Sequence, residues 1–93
     1  MVLKLKILFY LKLDIQCKNN NWQTGEGNGN NEKVIGYFNT TEECGFAAYT
    51  KYPDAKAATW HYKAPHECYA NFEATDIVSS GYGMQTCIFN GNE

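Results

Sequence analysis

Four cysteines, Cys17, Cys44, Cys68 and Cys87, are the residues of this 93-residue chain best suited to covalent chemistry. No two of them have the C-x-x-C spacing of a zinc ribbon or a dithiol redox site. An even number of scattered cysteines in a short chain rich in aromatic, Asn and Gly residues points to two disulfides and an oxidising, extracellular setting. The competing reading is four reduced thiols buried in a cytosolic protein. His61, His66 and Glu67 form a second cluster, close together across an expected hairpin. Two imidazoles and a carboxylate could hold zinc with an open position, as in a small metal-dependent enzyme. Yet H-E-x-x-H is absent, and neither histidine stands at helical ligand spacing from the other. His61 is out of phase with Ala58, Trp60 and Tyr62, so it should point away from the face they share. The plainer reading is one solvent-facing histidine and one turn histidine, with no metal and no cofactor.

Other catalytic arrangements are weaker still. Ser79-Ser80-Gly81 lacks the G-x-S-x-G of a nucleophile elbow. A Cys–His pair would consume a cysteine assigned to a bridge, and Glu73 and Asp76 read as solvated loop acids. The glycines from Gly25 to Gly29 do not form G-x-G-x-x-G and precede no expected helix, which argues against a phosphate cradle. All eight basic residues are Lys, and Arg, the residue that forks onto phosphates and guanine edges, is missing. From Cys17 onward five Lys face nine acids, a formal charge of −4. Nucleic acid is therefore excluded as a partner, and the expectation is a protein that is not an enzyme. Asn39-Thr40-Thr41 is an N-x-[ST] acceptor, open to glycosylation on a eukaryotic secretory route.

The elements that position these residues follow from pattern and punctuation. A chain of this length makes one small domain, burying only about two-thirds of its unfolded surface. Thr40 and Glu43 form a capping box, which opens a helix with Cys44, Ala47, Ala48 and Lys51 on one side. Tyr52-Pro53 ends it, because proline disfavours helix for the residue before it. Residues 57–62 read as a strand with Trp60 in the core, 63–65 as a turn, and 66–72 as a second strand. A cysteine near a helix start, followed by a hairpin carrying another, suggests a staple between helix and sheet. Residues 33–38, 75–78 and 84–89 are further strand segments. Residues 18–32 form an Asn/Gly-rich loop in which Trp22 either anchors the loop or stands ready for a ligand.

Residues 2–15 alternate, with Leu, Ile and Phe at odd positions and mostly Lys, Tyr and Asp at even ones, the period of a strand. The Lys-free core of residues 7–11 is too short for a signal-peptide h-region or a membrane span. Residues 1–16 are read as an amphipathic strand or a degraded leader ahead of a domain at 17–93. The apolar face should be buried against the domain or in self-association. Aromatic residues make up 15 % of the chain. Those near loops are the better binding candidates, above all Trp22 and Tyr82, which lies between Gly81 and Gly83; His61 joins them.

The order of these elements resembles that of the PAN/apple family, secreted modules in which a helix packs on a curved antiparallel sheet. Thr40-Thr41-Glu42-Glu43-Cys44 is similar to the family's helix entry, and Lys56-Ala57-Ala58-Thr59-Trp60 to its small-aromatic-Thr-aromatic strand. Glu67-Cys68-Tyr69 and Gln85-Thr86-Cys87 are similar to the next Cys-bearing strand and the closing one. Where the family often bridges its helix to the following turn, this chain has Ala48 and Ala55, so both partners are missing together. The resemblance covers about residues 17–89. It implies an α+β fold with bridges Cys44–Cys68 and Cys17–Cys87, out of three connectivities open to four cysteines. It also implies a secreted, non-enzymatic module for protein–protein or protein–carbohydrate contacts, with no transmembrane segment. Two alternatives come from other classes. One is the metal-dependent enzyme using His61, His66 and Glu67. The other is a disulfide-stapled toxin or defence protein whose residues 2–12 touch membranes.

Overall fold

The structure, a computed structural model, describes residues 17, 22–29, 31–78 and 83–89. The expectations for residues 1–16 and for Tyr82 lie outside the described residues. Among the described residues seven strands and one helix follow in chain order. They are β1 (Gln23–Thr24), β2 (Glu26–Gly27), β3 (Glu32–Tyr37), α1 (Thr41–Lys51), β4 (Ala57–His61), β5 (Glu67–Asn71), β6 (Ile77–Val78) and β7 (Met84–Ile88). Five of the strands form one antiparallel sheet in the order β1-β7-β4-β5-β3, and β2 pairs with β6 in a small second ribbon. The fold is α+β, a helix laid on an antiparallel sheet.

The helix begins where the capping box places it. Thr40 Oγ1 accepts from the Glu43 backbone N–H at 3.1 Å, and Glu43 Oε1 accepts from the Asn39 N–H at 3.2 Å. The first bond satisfies a donor that the first helical turn would otherwise leave open; the second reaches past the cap, to the Asn39 N–H rather than the Thr40 N–H of a capping box. The buried side of α1 is Cys44, Gly45 and Ala48, whereas Ala47 is half-buried and Lys51 exposed. All three buried residues are small, so the helix can lie close on the sheet. There it meets Ala58, Trp60, Cys68, Ala70 and Cys87 in one core cluster with Ala55 and Phe89. Trp60 is held in this core through its indole N–H, which donates to the Phe38 carbonyl at 2.9 Å.

Both disulfides join the expected pairs. Cys44–Cys68 ties the start of α1 to β5 with a Cα separation of 5.6 Å. Cys17–Cys87 ties the beginning of the described domain to β7 with a Cα separation of 5.1 Å, next to the bridge between Cys17 and Phe89. Among the described residues no helix is long and apolar enough to cross a membrane.

The stretch read from sequence as a loop, residues 18–32, holds three strand segments instead: β1, β2 and the start of β3. Its glycines serve these strands. Gly25, at φ 124, turns the chain from the main sheet into the ribbon, where a Cβ would collide with the Val78 carbonyl. The turn between β4 and β5 is equally specific. Ala64–Pro65 is cis, and the His66 N–H closes a four-residue turn on the Lys63 carbonyl at 2.9 Å, the type VI arrangement.

Candidate functional site: the open face of the sheet

Alternation along the strands gives the sheet two unlike faces. One face carries the Ala58, Trp60, Cys68, Ala70 and Cys87 side chains against α1. The other carries Ala57, Thr59 and His61 from β4, Glu67, Tyr69 and Asn71 from β5, and Val34 and Tyr37 from β3, by the cross-strand register. The β2–β6 ribbon covers one end of this second face. There Ala57, Ala74 and Ile88 form a small satellite core, with Ile77 packed on it. Beneath the crossing from β1 to β2, the Thr59 and Thr86 hydroxyls meet at 3.0 Å, and Thr86 Oγ1 donates to the Gly25 carbonyl at 2.8 Å.

Beyond the ribbon no described element covers the face. Val34 is 52 % and Tyr37 60 % exposed, and Tyr69 and His61 are half-buried beside them. The His61 and Tyr69 rings lie 6.0 Å apart at 45°. The Tyr69 hydroxyl donates to Glu67 Oε1 at 2.6 Å. That bond, helped by burial and by the charges of Glu67 and Glu32, holds the phenol in its neutral form and pushes its pKa up to about 12. Glu32 is also raised above the usual carboxylate range, first by burial and then by the charge of Glu26, with His61 acting the other way. The open face is therefore a strip of rings and an aliphatic side chain flanked by carboxylates. Flat rings can stack on the C–H faces of a sugar or on apolar side chains, while carboxylates accept from hydroxyl or ammonium donors.

The residues singled out from sequence end in different places. His61 does lie opposite Ala58 and Trp60, on the open face. His66 goes to the other side, where its ring stacks on Trp60 at 5.3 Å and 12° and its Nδ1 lies 3.2 Å from the His61 carbonyl. The two imidazoles therefore do not converge, and Glu67 is engaged by Tyr69. Among the described residues, no group of three or more His, Cys, Asp and Glu is placed to hold a metal ion. Trp22 is half-buried and packs on the main core over Gly45, whose hydrogen leaves room for the indole edge. Asn39 is exposed at the helix entry.

Tyr37, Tyr69, Val34 and Glu32 were not visible as site residues in the sequence. Their signal is the phase of the three central strands, and it appears only once the register Thr59↔Tyr69 and Val34↔Tyr69 is known. No family model, no curated protein and no solved structure matches this chain.

Proposed function

We propose that this protein is a secreted, non-catalytic binding module of PAN/apple-like type, taking a protein or carbohydrate ligand on the open face of its sheet. The observation that carries the reading is the uncovered strip of Tyr37, Tyr69, His61 and Val34. A neighbouring part of the same face is buried under the ribbon, whereas no described element packs on this part. Exposed apolar surface of this kind, rimmed by polar groups, marks interaction sites. Tyr69 suits binding better than catalysis, because its neutral hydroxyl is committed to Glu67 across the physiological range. The two disulfides support an extracellular location.

The test is a glycan array and a protein-interaction screen of the oxidised domain, followed by direct titration of each hit. Tyr37→Ala and His61→Ala should each weaken a true ligand at least tenfold while leaving the circular dichroism and both bridges unchanged. A ligand whose affinity is indifferent to both changes sinks the assignment of this face.

A further inference from the structure

A second apolar surface lies around the edge of the sheet from the first. Between α1 and β3, the edge strand among the described residues, runs a groove of about 520 Å³, within the range of ligand clefts. Ile35, Phe38, Phe46, Ala47 and Thr50 line it, and it shares Tyr37 with the open face. Phe46 is 37 % exposed, a large ring left on the helix surface. Asn39, the acceptor of the one N-x-[ST] sequence in the chain, forms part of the same lining.

We infer that this groove is the seat of the first sugars of an N-linked glycan carried by Asn39, so that the glycan is a structural part of the domain. Three observations favour this occupant. The attachment point is inside the groove wall, which makes the sugar an intramolecular ligand at high effective concentration. The backbone at the attachment point is already fixed, because the Asn39 N–H is held by Glu43 Oε1 and Thr40 caps the helix. The backbone part of the ordering cost is then already met, leaving the side-chain and glycosidic torsions to be fixed when the sugar settles. The lining also matches the chemistry of an N-acetylhexosamine, with apolar C–H and acetyl-methyl surface against Phe46 and Ile35, and hydroxyls toward Thr50 and Lys51.

The covalent step is ordinary secretory chemistry. The Asn39 side-chain nitrogen bonds to C1 of the sugar as the C1–O bond to a polyprenyl-diphosphate donor breaks. The diphosphate leaves with the bonding pair, and the amide gives up one proton. Transfer to the nascent chain precedes folding, so the Thr40 cap does not shield the site.

The inference rests on the secretory part of the proposed function and not on the ligand face, and the experiment separates the two. The full chain, fused behind a cleavable leader, is expressed in a eukaryotic secretory host, which supplies the route whatever the natural location. Mass spectrometry of the secreted protein should find one glycan, on Asn39, absent from Asn39→Gln. Trimmed to its first N-acetylglucosamine, the wild-type protein should melt about 4 °C above Asn39→Gln. In a Phe46→Ser background that increment should vanish. Nuclear Overhauser contacts between the acetyl methyl and the Phe46 ring give a readout independent of stability. An unmodified Asn39, an increment unchanged by Phe46→Ser, or a sugar without contacts to Phe46 overturns the inference. The ligand face would be untouched by any of those outcomes.

Discussion

At the scale of single residues, polar groups inside and beside the sheet matter more than their number suggests. Asn71 is fully buried at the end of β5. Its Oδ1 accepts from the Glu73 and Ala74 N–H groups at 2.9 and 2.8 Å, which turns the chain out of the sheet toward β6. Asn71→Ala takes the acceptor from one buried donor, the Ala74 N–H, and from the part-buried Glu73 N–H, and the expected cost is about 1–3 kcal/mol in denaturant melts. Among the described residues its Nδ2 has no partner, so part of the gain from the two accepted bonds is already offset. Tyr69 offers a spectroscopic test of the open face. Glu67→Gln removes the largest cause of its raised pKa, and absorbance titration should show the phenol ionising nearer its ordinary value of 10.0 than about 12. The linkage has a definite sign. A phenol whose folded pKa is raised binds its proton more tightly in the native state. It contributes stability that is fully present below pH 10 and is lost as pH rises through the folded value near 12. In Glu67→Gln that extra alkaline loss between pH 10 and 12 should shrink; a tyrosine titration unchanged by the substitution would remove Glu67 as its cause.

At the scale of elements, legibility followed how local the determinants are. The helix entry was readable because the capping box is written within four residues, and Thr40→Ala should cost about 1 kcal/mol with helix fraying confined to the first turn. Amide exchange across residues 41–44 would report it. Strand β4 was readable too, since Thr59 and Trp60 are strong strand formers between turn signals. The two-residue strands were not. Gln23, Thr24, Glu26 and Gly27 show no apolar period, and they become strands only because Gln85, Thr86, Ile77 and Val78 lie opposite, some fifty to sixty residues away in sequence. The open face stayed hidden for the same reason. His61 could be phased against Ala58 and Trp60 from its own strand, but that it meets Tyr69 depends on the β4–β5 register. The helical spacing puts Cys44, Ala47, Ala48 and Lys51 on one side, whereas the residues buried from α1 are Cys44, Gly45 and Ala48. A glycine carries no hydrophobic signal, and it is selected here by the Trp22 ring that crosses it.

At the scale of the whole molecule, the disulfides divide the labour of holding a thin core together. Among the described residues the fully buried cluster is built mainly of Ala and Cys with one Trp and one Phe, small side chains that each contribute little apolar area to oppose chain entropy. In the chain-entropy account, bridges with sequence separations of 24 and 70 contribute about 3.5 and 4.4 kcal/mol. Together they rival the roughly 5–15 kcal/mol of a typical domain, so the fully reduced chain should be unfolded at 37 °C. The two single-bridge deletions should differ in kind. Cys17→Ala/Cys87→Ala loosens the closure of the sheet but leaves α1 tied to β5. Its helix amides should exchange with the same free energy as the strands, through global unfolding alone. Cys44→Ala/Cys68→Ala removes the tie at the closest approach of helix and sheet, where only Gly45 and Ala48 remain buried from α1. That variant should open in part, with amides of residues 44–51 exchanging at a distinctly lower free energy than those of β4 and β5. Hydrogen exchange resolved by residue distinguishes the two. Helix and strand amides exchanging together in Cys44→Ala/Cys68→Ala would show that the sheet holds its helix without the bridge.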